Sequence, residues 1–132
     1  MNPAKLFSSP RFFPSRIDQG AKTERAALEF LKAKGCLLIE KNVRFRVGEI
    51  DLVMKEGDCL VFVEVRGRVQ GAMESAQTAL PPLKRMKLVR AVETYLLRMP
   101  LRESASYRSV RIDFLSHDGV EWFWCRNIEM RS

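Results

Sequence analysis

The sequence predicts an α/β fold in which a mixed sheet is covered by helices on both faces. Two helical patterns alternate with five strand patterns in the order α-β-β-β-α-β-β. The central strand patterns are rich in Val, Ile, Leu and Phe, which is typical of strands with both faces buried. A helix between the third and fourth strands predicts a right-handed crossover, which makes those two strands parallel.

The length of 132 residues fits one domain that buries a core of its own. Residues 1–19 hold three prolines and three serines, so we expect a poorly ordered arm followed by a single domain at 20–132. No apolar run approaches the roughly 18 residues of a membrane helix, and the N-terminus lacks a secretory signal pattern, so we expect a cytoplasmic protein with no membrane partner. The widely spaced Cys36, Cys59 and Cys125 are expected to be reduced thiols.

The first helix is predicted at 21–35 and ends at Gly35, a residue that suits a left-handed cap because it lacks a Cβ. The helical repeat places Glu24 on the same face as Leu28 and Leu31. A glutamate in an apolar stripe suggests a function at this position. The alternative is a first-turn glutamate that the helix dipole favours.

The remaining elements follow in chain order. They are a strand at 36–46, a hairpin at 48–66, a second helix at 83–99 and a last strand pair at 109–116 and 120–128. Pro81 and Pro82 mark the entry to the second helix, and Asp118-Gly119 marks the last turn. The Trp-Phe-Trp run at 122–124 predicts an aromatic edge strand that covers the core, with base stacking as the alternative.

The net charge of +7 is concentrated in one part of the chain. Residues 66–111 hold ten basic side chains against three acidic ones, whereas the rest holds thirteen of each sign. This favours a polyanionic partner, with nucleic acid first and an anionic membrane second, and a scattered solvated face is the alternative. Lys84 opposes the dipole of the second helix yet points along its apolar stripe. A phosphate or carboxylate partner accounts for both facts, as does a snorkelling lysine.

Three carboxylates, Glu49, Asp51 and Glu64, lie within the hairpin. With Glu56-Gly57 as a two-residue turn, Glu49 lies directly opposite Glu64. Period-2 alternation then groups the acids on one face of the sheet. That face holds Glu49, Asp51, Phe62, Glu64 and Arg66, and the other holds Ile50, Leu52, Met54, Val61, Val63 and Val65.

Like charges directly across a strand pair repel each other, so grouped acids call for a cation. Oxygen ligands of this kind suit Mg²⁺ or Mn²⁺, which binds through one or two protein carboxylates and keeps several waters. The alternative is a salt-bridge network with Arg44, Arg46 or Arg66. Both interpretations are open from the residues alone.

At this point the residues carry a family resemblance. The helix glutamate and the strings NVRFRVGEIDLV, VFVEVRGR, LKRMKLVRAVETYL and VRIDFLS resemble the PD-(D/E)xK nuclease superfamily. Within it the chain looks like the YraN family of bacterial proteins, akin in fold to archaeal Holliday junction resolvases. The resemblance spans roughly residues 20–116. It implies a three-layer α/β/α restriction-endonuclease-like core and a metal-dependent nuclease site, with branched DNA as a candidate substrate and a homodimer as a candidate assembly.

Carried over by position, the resemblance assigns Asp51 and Glu64 as ligands of Mg²⁺ or Mn²⁺. It assigns Glu24 as the helix acid that reaches the metal directly or through water. Arg66 stands where the superfamily usually has its catalytic lysine. Arginine offers a bidentate fork to phosphate but stays charged and is a poor base. The expected contacts to nucleic acid are Lys84, Lys87, Arg85 and Arg68, and the expected supporting acids are Glu49 and Asp113.

The sequence therefore predicts a DNA-binding protein with a Mg²⁺-dependent phosphodiesterase site of the endonuclease type. The alternative is a nucleic-acid-binding module that keeps the nuclease fold without turnover. Arginine in place of the catalytic lysine favours that alternative.

Overall fold

A five-stranded mixed sheet lies between two long helices. The computed structural model describes residues 16–67 and 80–128, with side chains from residue 20 onward. The elements are α1 (Arg16–Ala33), β1 (Leu37–Phe45), β2 (Gly48–Glu56), β3 (Cys59–Arg66), α2 (Pro82–Arg98), the short α3 (Leu101–Ser104), β4 (Ser109–His117) and β5 (Trp122–Cys125). Apart from α3, this is the predicted order.

The strands lie in the order β1-β2-β3-β4-β5 across the sheet. Neighbouring strands are antiparallel except β3 and β4, which are parallel. The connection between β3 and β4 contains α2, and a parallel pair needs such a crossover. The predicted parallel pairing is confirmed.

Each face of the sheet has its own apolar cluster. On one face the buried residues of α1 and the sheet are Ala27, Leu28, Leu31, Leu52, Met54, Val61, Val63 and Leu115. On the other face the buried residues of α2 and the sheet are Leu88, Ala91, Val92, Val43, Ile50, Val53, Leu60 and Phe62. The predicted three-layer α/β/α arrangement is therefore confirmed.

The predicted register of the β2–β3 hairpin is wrong by two residues. The pairing runs from Glu56–Cys59 to Leu52–Val63, so the turn residues are Gly57 and Asp58. Gly57 has φ +61 and occupies the first central position, where a type II′ turn requires positive φ. The opposition of Glu49 to Glu64 is lost, because continuing the observed register by one residue places Asp51 beside Glu64.

The predicted alternation along β2 breaks at Asp51. Ile50 packs on the α2 face, whereas Leu52 packs on the α1 face, although regular alternation would put them on the same side. In β1, the residue opposite this break is Asn42, which lies between the pairs Lys41–Leu52 and Val43–Ile50. Asn42 has φ +55, a left-handed conformation that is uncommon for a residue other than glycine.

Helix α1 begins at Arg16, five residues before the predicted start. Its first turns are polar, so no apolar periodicity marked them. Of the predicted arm at 1–19, residues 1–15 lie outside the described residues, and residues 16–19 belong to α1 instead. No helix in the described ranges is long and apolar enough to cross a membrane. Of the three free cysteines, Cys36 is buried, and Cys59 and Cys125 are half-buried.

Strand β5 is an aromatic edge strand, as predicted. Trp122 and Trp124 pack against the α1-face cluster, and their rings lie 5.7 and 6.1 Å from the ring of Phe30. The indole N–H of Trp124 donates to Asp113 Oδ2 at 2.9 Å. The two tryptophans therefore cover the core instead of presenting open faces for base stacking.

Candidate active site

The residues predicted to be catalytic line one cleft at the end of the β2–β3 hairpin. Its volume is about 640 Å³, and we call it the carboxylate cleft. It is lined by Glu24 from α1, Glu49 and Asp51 from β2, Glu64 and Arg66 from β3, and Lys84 from α2. Four elements that are separate in sequence thus meet here.

Asp51 and Glu64 form the centre of this cleft, and we call them the carboxyl pair. The β2–β3 ladder reaches Leu52–Val63, and beyond it Asp51 Oδ2 accepts a hydrogen bond from the Val65 N–H at 2.8 Å. The side chain of Asp51 thus takes the place of a backbone acceptor. The alternation break at Asp51 positions its carboxylate where the ladder ends.

The carboxyl pair holds protons more tightly than ordinary carboxyl groups. Burial, followed by the charge of Asp51 and a hydrogen bond with it, raises the pKa of Glu64 to about 8. Burial also raises the pKa of Asp51, against the lowering effect of the Val65 N–H and of Glu64. The charge of Lys84 opposes the shift in both pKa values. Near neutral pH, the raised pKa therefore keeps Glu64 largely protonated beside Asp51.

Glu24 is electrostatically part of the same group. Its pKa is raised by burial, then by the charges of Asp51 and Glu49, while Arg44 and Lys41 lower it. The helical spacing that put Glu24 in an apolar stripe therefore also placed it beside the hairpin acids.

The contact between Arg44 and Glu49 does not account for the carboxyl pair. Arg44 Nε lies 3.9 Å from Glu49 Oε2, and the two side chains are 78% and 67% exposed. Exposed pairs of this kind contribute little. Burial outweighs the charge of Arg66, which lowers the pKa of Glu64, and the pKa values of both Asp51 and Glu64 are raised.

Two carboxylates come together in a way that suits a hard divalent cation. Within the described part of the chain, no group of three or more His, Cys, Asp or Glu side chains is arranged to hold a metal. Mg²⁺ commonly uses one or two protein carboxylates and fills its octahedron with waters and substrate phosphate. The donor set of Asp51 and Glu64 fits that pattern.

Basic residues line a second cleft of about 360 Å³, which we call the α2 cleft. Its cationic residues are Arg46, Lys84 and Lys87, and it shares Glu49, Glu64 and Lys84 with the carboxylate cleft. Arg85 is half-buried in the first turn of α2 and lines neither of these clefts. Arg68, also predicted to contact nucleic acid, lies outside the described residues.

Asp113, predicted as a structural or supporting acid, stabilises the β4–β5 end of the sheet. It is fully buried and accepts hydrogen bonds from Arg111 Nε, Trp124 Nε1 and the Asn127 N–H at 3.0, 2.9 and 2.8 Å. Arg111 also forms an ion pair with Glu56, in which Arg111 Nη2 lies 2.8 Å from Glu56 Oε1. These contacts give Asp113 a structural role.

Two glycines that the sequence interpretation missed determine how closely the helices approach the site. A Cβ on Gly48 would lie 2.3 Å from the carbonyl oxygen of Lys87, so α2 packs directly on the start of β2. A Cβ on Gly67 would lie 2.9 Å from Thr23 Oγ1 of α1. The sequence offered one indication of this role, because Gly48 directly precedes the β2 acids and Gly67 directly follows β3.

The comparison with known proteins assigns the chain to a family. The family model described as "Uncharacterised protein family UPF0102" matches residues 23–116. The chain belongs to the UPF0102 family, also called YraN. The matched range contains the carboxyl pair, Glu24, Arg66 and Lys84.

Curated relatives carry the same family name. The UPF0102 protein of Alkalilimnicola ehrlichii is 39% identical over 111 residues, which cover 84% of this chain and 86% of the relative. That of Nitrosomonas eutropha is 46% identical over 84 residues, covering 64% and 72% of the two chains. That of Aeromonas hydrophila is 35% identical over 115 residues, covering 87% of each.

Proposed function

We propose that this protein binds DNA and hydrolyses phosphodiester bonds with Mg²⁺ or Mn²⁺ held by the carboxyl pair. The observation that carries the proposal is the carboxyl pair itself. Asp51 and Glu64 lie side by side with raised pKa values, in a cleft that Arg66 and Lys84 also line.

A divalent cation resolves the electrostatic problem that the pair presents. Two partly buried carboxylates repel each other when both are ionised, and in the metal-free protein a proton reduces that repulsion. A cation that replaces this proton allows both groups to ionise. When bound, the metal supplies Lewis-acid polarisation of the phosphate and lowers the pKa of a bound water.

The chain's own cations position the phosphate and neutralise its charge. Arg66 lines the cleft beside Glu64, and its planar guanidinium suits bidentate binding of phosphate oxygens. Lys84 faces the same cleft from the start of α2. Since Arg66 remains charged, it stabilises negative charge and does not take a proton from the attacking water.

A binding module without turnover is the second candidate function. The observation that favours it is arginine at position 66, because a lysine there can shift its pKa and assist in deprotonating water. Such a module needs the basic residues of the α2 cleft and does not need the carboxyl pair. Its DNA affinity should survive loss of Asp51 and should fall steeply with salt.

Cleavage of labelled linear, flapped and four-way DNA in Mg²⁺ or Mn²⁺ separates the two functions. We expect wild type to cleave and Asp51→Asn to be inactive but folded, with Glu93→Gln on the exposed side of α2 as the matched control. Equal cleavage by wild type and Asp51→Asn would contradict the metal site. If wild type binds DNA in a salt-sensitive way and does not cleave it, the binding module without turnover is the function that remains supported.

A further inference from the structure

A third cleft lies between α1 and β1, next to the carboxylate cleft. Its volume is about 420 Å³, and we call it the β1 cleft. The two clefts share Glu24, and the β1 cleft adds Arg25 of α1 with Lys41, Asn42 and Arg44 of β1. No sequence pattern singled out this group as a site.

The β1 cleft is cationic and largely uncompensated. Arg25, Lys41 and Arg44 face one carboxylate, that of Glu24. Among the described residues, these three cations form one ion pair within 4 Å, the exposed contact between Arg44 and Glu49. A concave surface lined by one sign of charge concentrates the field and attracts the opposite sign.

A backbone irregularity places these cations on one side of β1. Val43 packs on the α2 face, while Lys41 and Arg44 both line the cleft beside α1. Regular alternation would separate Lys41 from Arg44, since they are three residues apart. Asn42, with φ +55, lies between Lys41 and Val43. Left-handed residues other than glycine persist where the surroundings enforce them, and they cluster at functional sites.

The same irregularity links the cations to the carboxyl pair. Asn42 lies opposite Asp51, between the observed pairs Lys41–Leu52 and Val43–Ile50. Glu24 lines both the β1 cleft and the carboxylate cleft. The cations of the β1 cleft therefore lie next to the carboxyl pair.

We infer that the β1 cleft binds a backbone phosphate of the nucleic-acid strand and positions that strand across the carboxyl pair. Helices α1 and α2 lie on opposite faces of the sheet, so the β1 cleft and the α2 cleft flank the carboxylates from two sides. A strand contacting both would place an intervening phosphodiester at Asp51 and Glu64. This inference rests on the proposed function and adds a phosphate site to it.

Salt-dependent DNA binding by charge variants tests the inference. Lys41→Ala/Arg44→Ala removes two cations from the β1 cleft. Lys32→Ala/Arg102→Ala removes two exposed cations that line none of the three clefts. Lys41→Arg/Arg44→Lys keeps the charge and tests whether charge or shape matters. Circular dichroism establishes that all variants are folded.

We measure DNA binding by fluorescence anisotropy with a duplex. The slope of log K against log salt concentration should become shallower by about 1 in Lys41→Ala/Arg44→Ala, at about 0.9 per neutralised phosphate. The matched control and Lys41→Arg/Arg44→Lys should keep the wild-type slope. If Lys41→Ala/Arg44→Ala behaves like the control while wild type binds with a steep slope, the inference is overturned and the proposed function stands. Absence of salt-sensitive binding by wild type would overturn both.

Discussion

Replacing Glu64 by Gln removes one ionisable group from the carboxyl pair and keeps the size of the side chain. In the folded protein the pKa of Glu64 is about 8, whereas its ordinary value is 4.5. The folded state therefore holds a proton that the unfolded chain releases between these pH values. The stabilisation from this proton is fully present below about pH 4.5 and is lost as the pH rises toward 8.

The magnitude follows from proton linkage. One proton of difference between the two states changes the free energy of unfolding by at most about 1.4 kcal/mol per pH unit. Between pH 5.5 and pH 7.5, wild type should thus lose up to about 2.7 kcal/mol that Glu64→Gln retains. The variant should also be the more stable protein at pH 7.5, because folding of wild type must then put a proton on Glu64, whereas the neutral glutamine needs no proton uptake.

Urea unfolding followed by tryptophan fluorescence measures this difference, since Trp122 and Trp124 pack against the core. The quantity of interest is the difference between wild type and Glu64→Gln across pH, in which the titration of other groups largely cancels. Glu93→Gln, which removes an exposed carboxylate, is the control and should run parallel to wild type. A Glu64→Gln profile that also runs parallel would refute the raised pKa.

Three further variants test other parts of the structure. Gly48→Ala should lower stability by about 1–3 kcal/mol in urea unfolding and weaken DNA binding, because its Cβ would lie 2.3 Å from the Lys87 carbonyl oxygen; wild-type behaviour would contradict the close packing. Asp113→Ala should cost about 3–5 kcal/mol, because it leaves Arg111, whose side chain is 14% exposed, without one carboxylate; metal binding should be unchanged. Lys84→Ala should shift the loss of stability to higher pH, since the charge of Lys84 lowers the pKa values of the carboxyl pair. A loss of stability at the same pH as in wild type would contradict that effect.

Much of the fold was predictable because hydrophobic periodicity reports burial. The strands around Val61 and Val63 are apolar on both faces, and the sheet is indeed covered on both. The hairpin register was missed because a glycine is common at both central positions of a two-residue turn. In the structure Gly57 has positive φ and occupies the first of these positions, with Asp58 as the second. The early start of α1 was missed because its first turns lack an apolar stripe.

The sequence indicated which acidic residues belong to the candidate site, but it did not indicate how the backbone arranges them. Strand alternation grouped Asp51 and Glu64, and helical spacing placed Glu24 in an apolar stripe. Only the family resemblance placed Glu24 beside the two hairpin acids. The left-handed Asn42 and the reversal of Ile50 to the α2 face have no counterpart in a regular strand pattern. They depend on tertiary packing, and the β1 cleft depends on them.

Calorimetric titration of Mg²⁺ or Mn²⁺ into wild type and Asp51→Asn at pH 7 tests the central claim most directly. Because Glu64 has a pKa of about 8, metal binding to the carboxyl pair must displace its proton. Wild type should therefore bind the ion with a heat that changes with the ionisation enthalpy of the buffer, reporting release of up to about one proton per ion. Asp51→Asn should lose this binding. Absence of binding by wild type, or equal binding by Asp51→Asn, would contradict a metal site at the carboxyl pair.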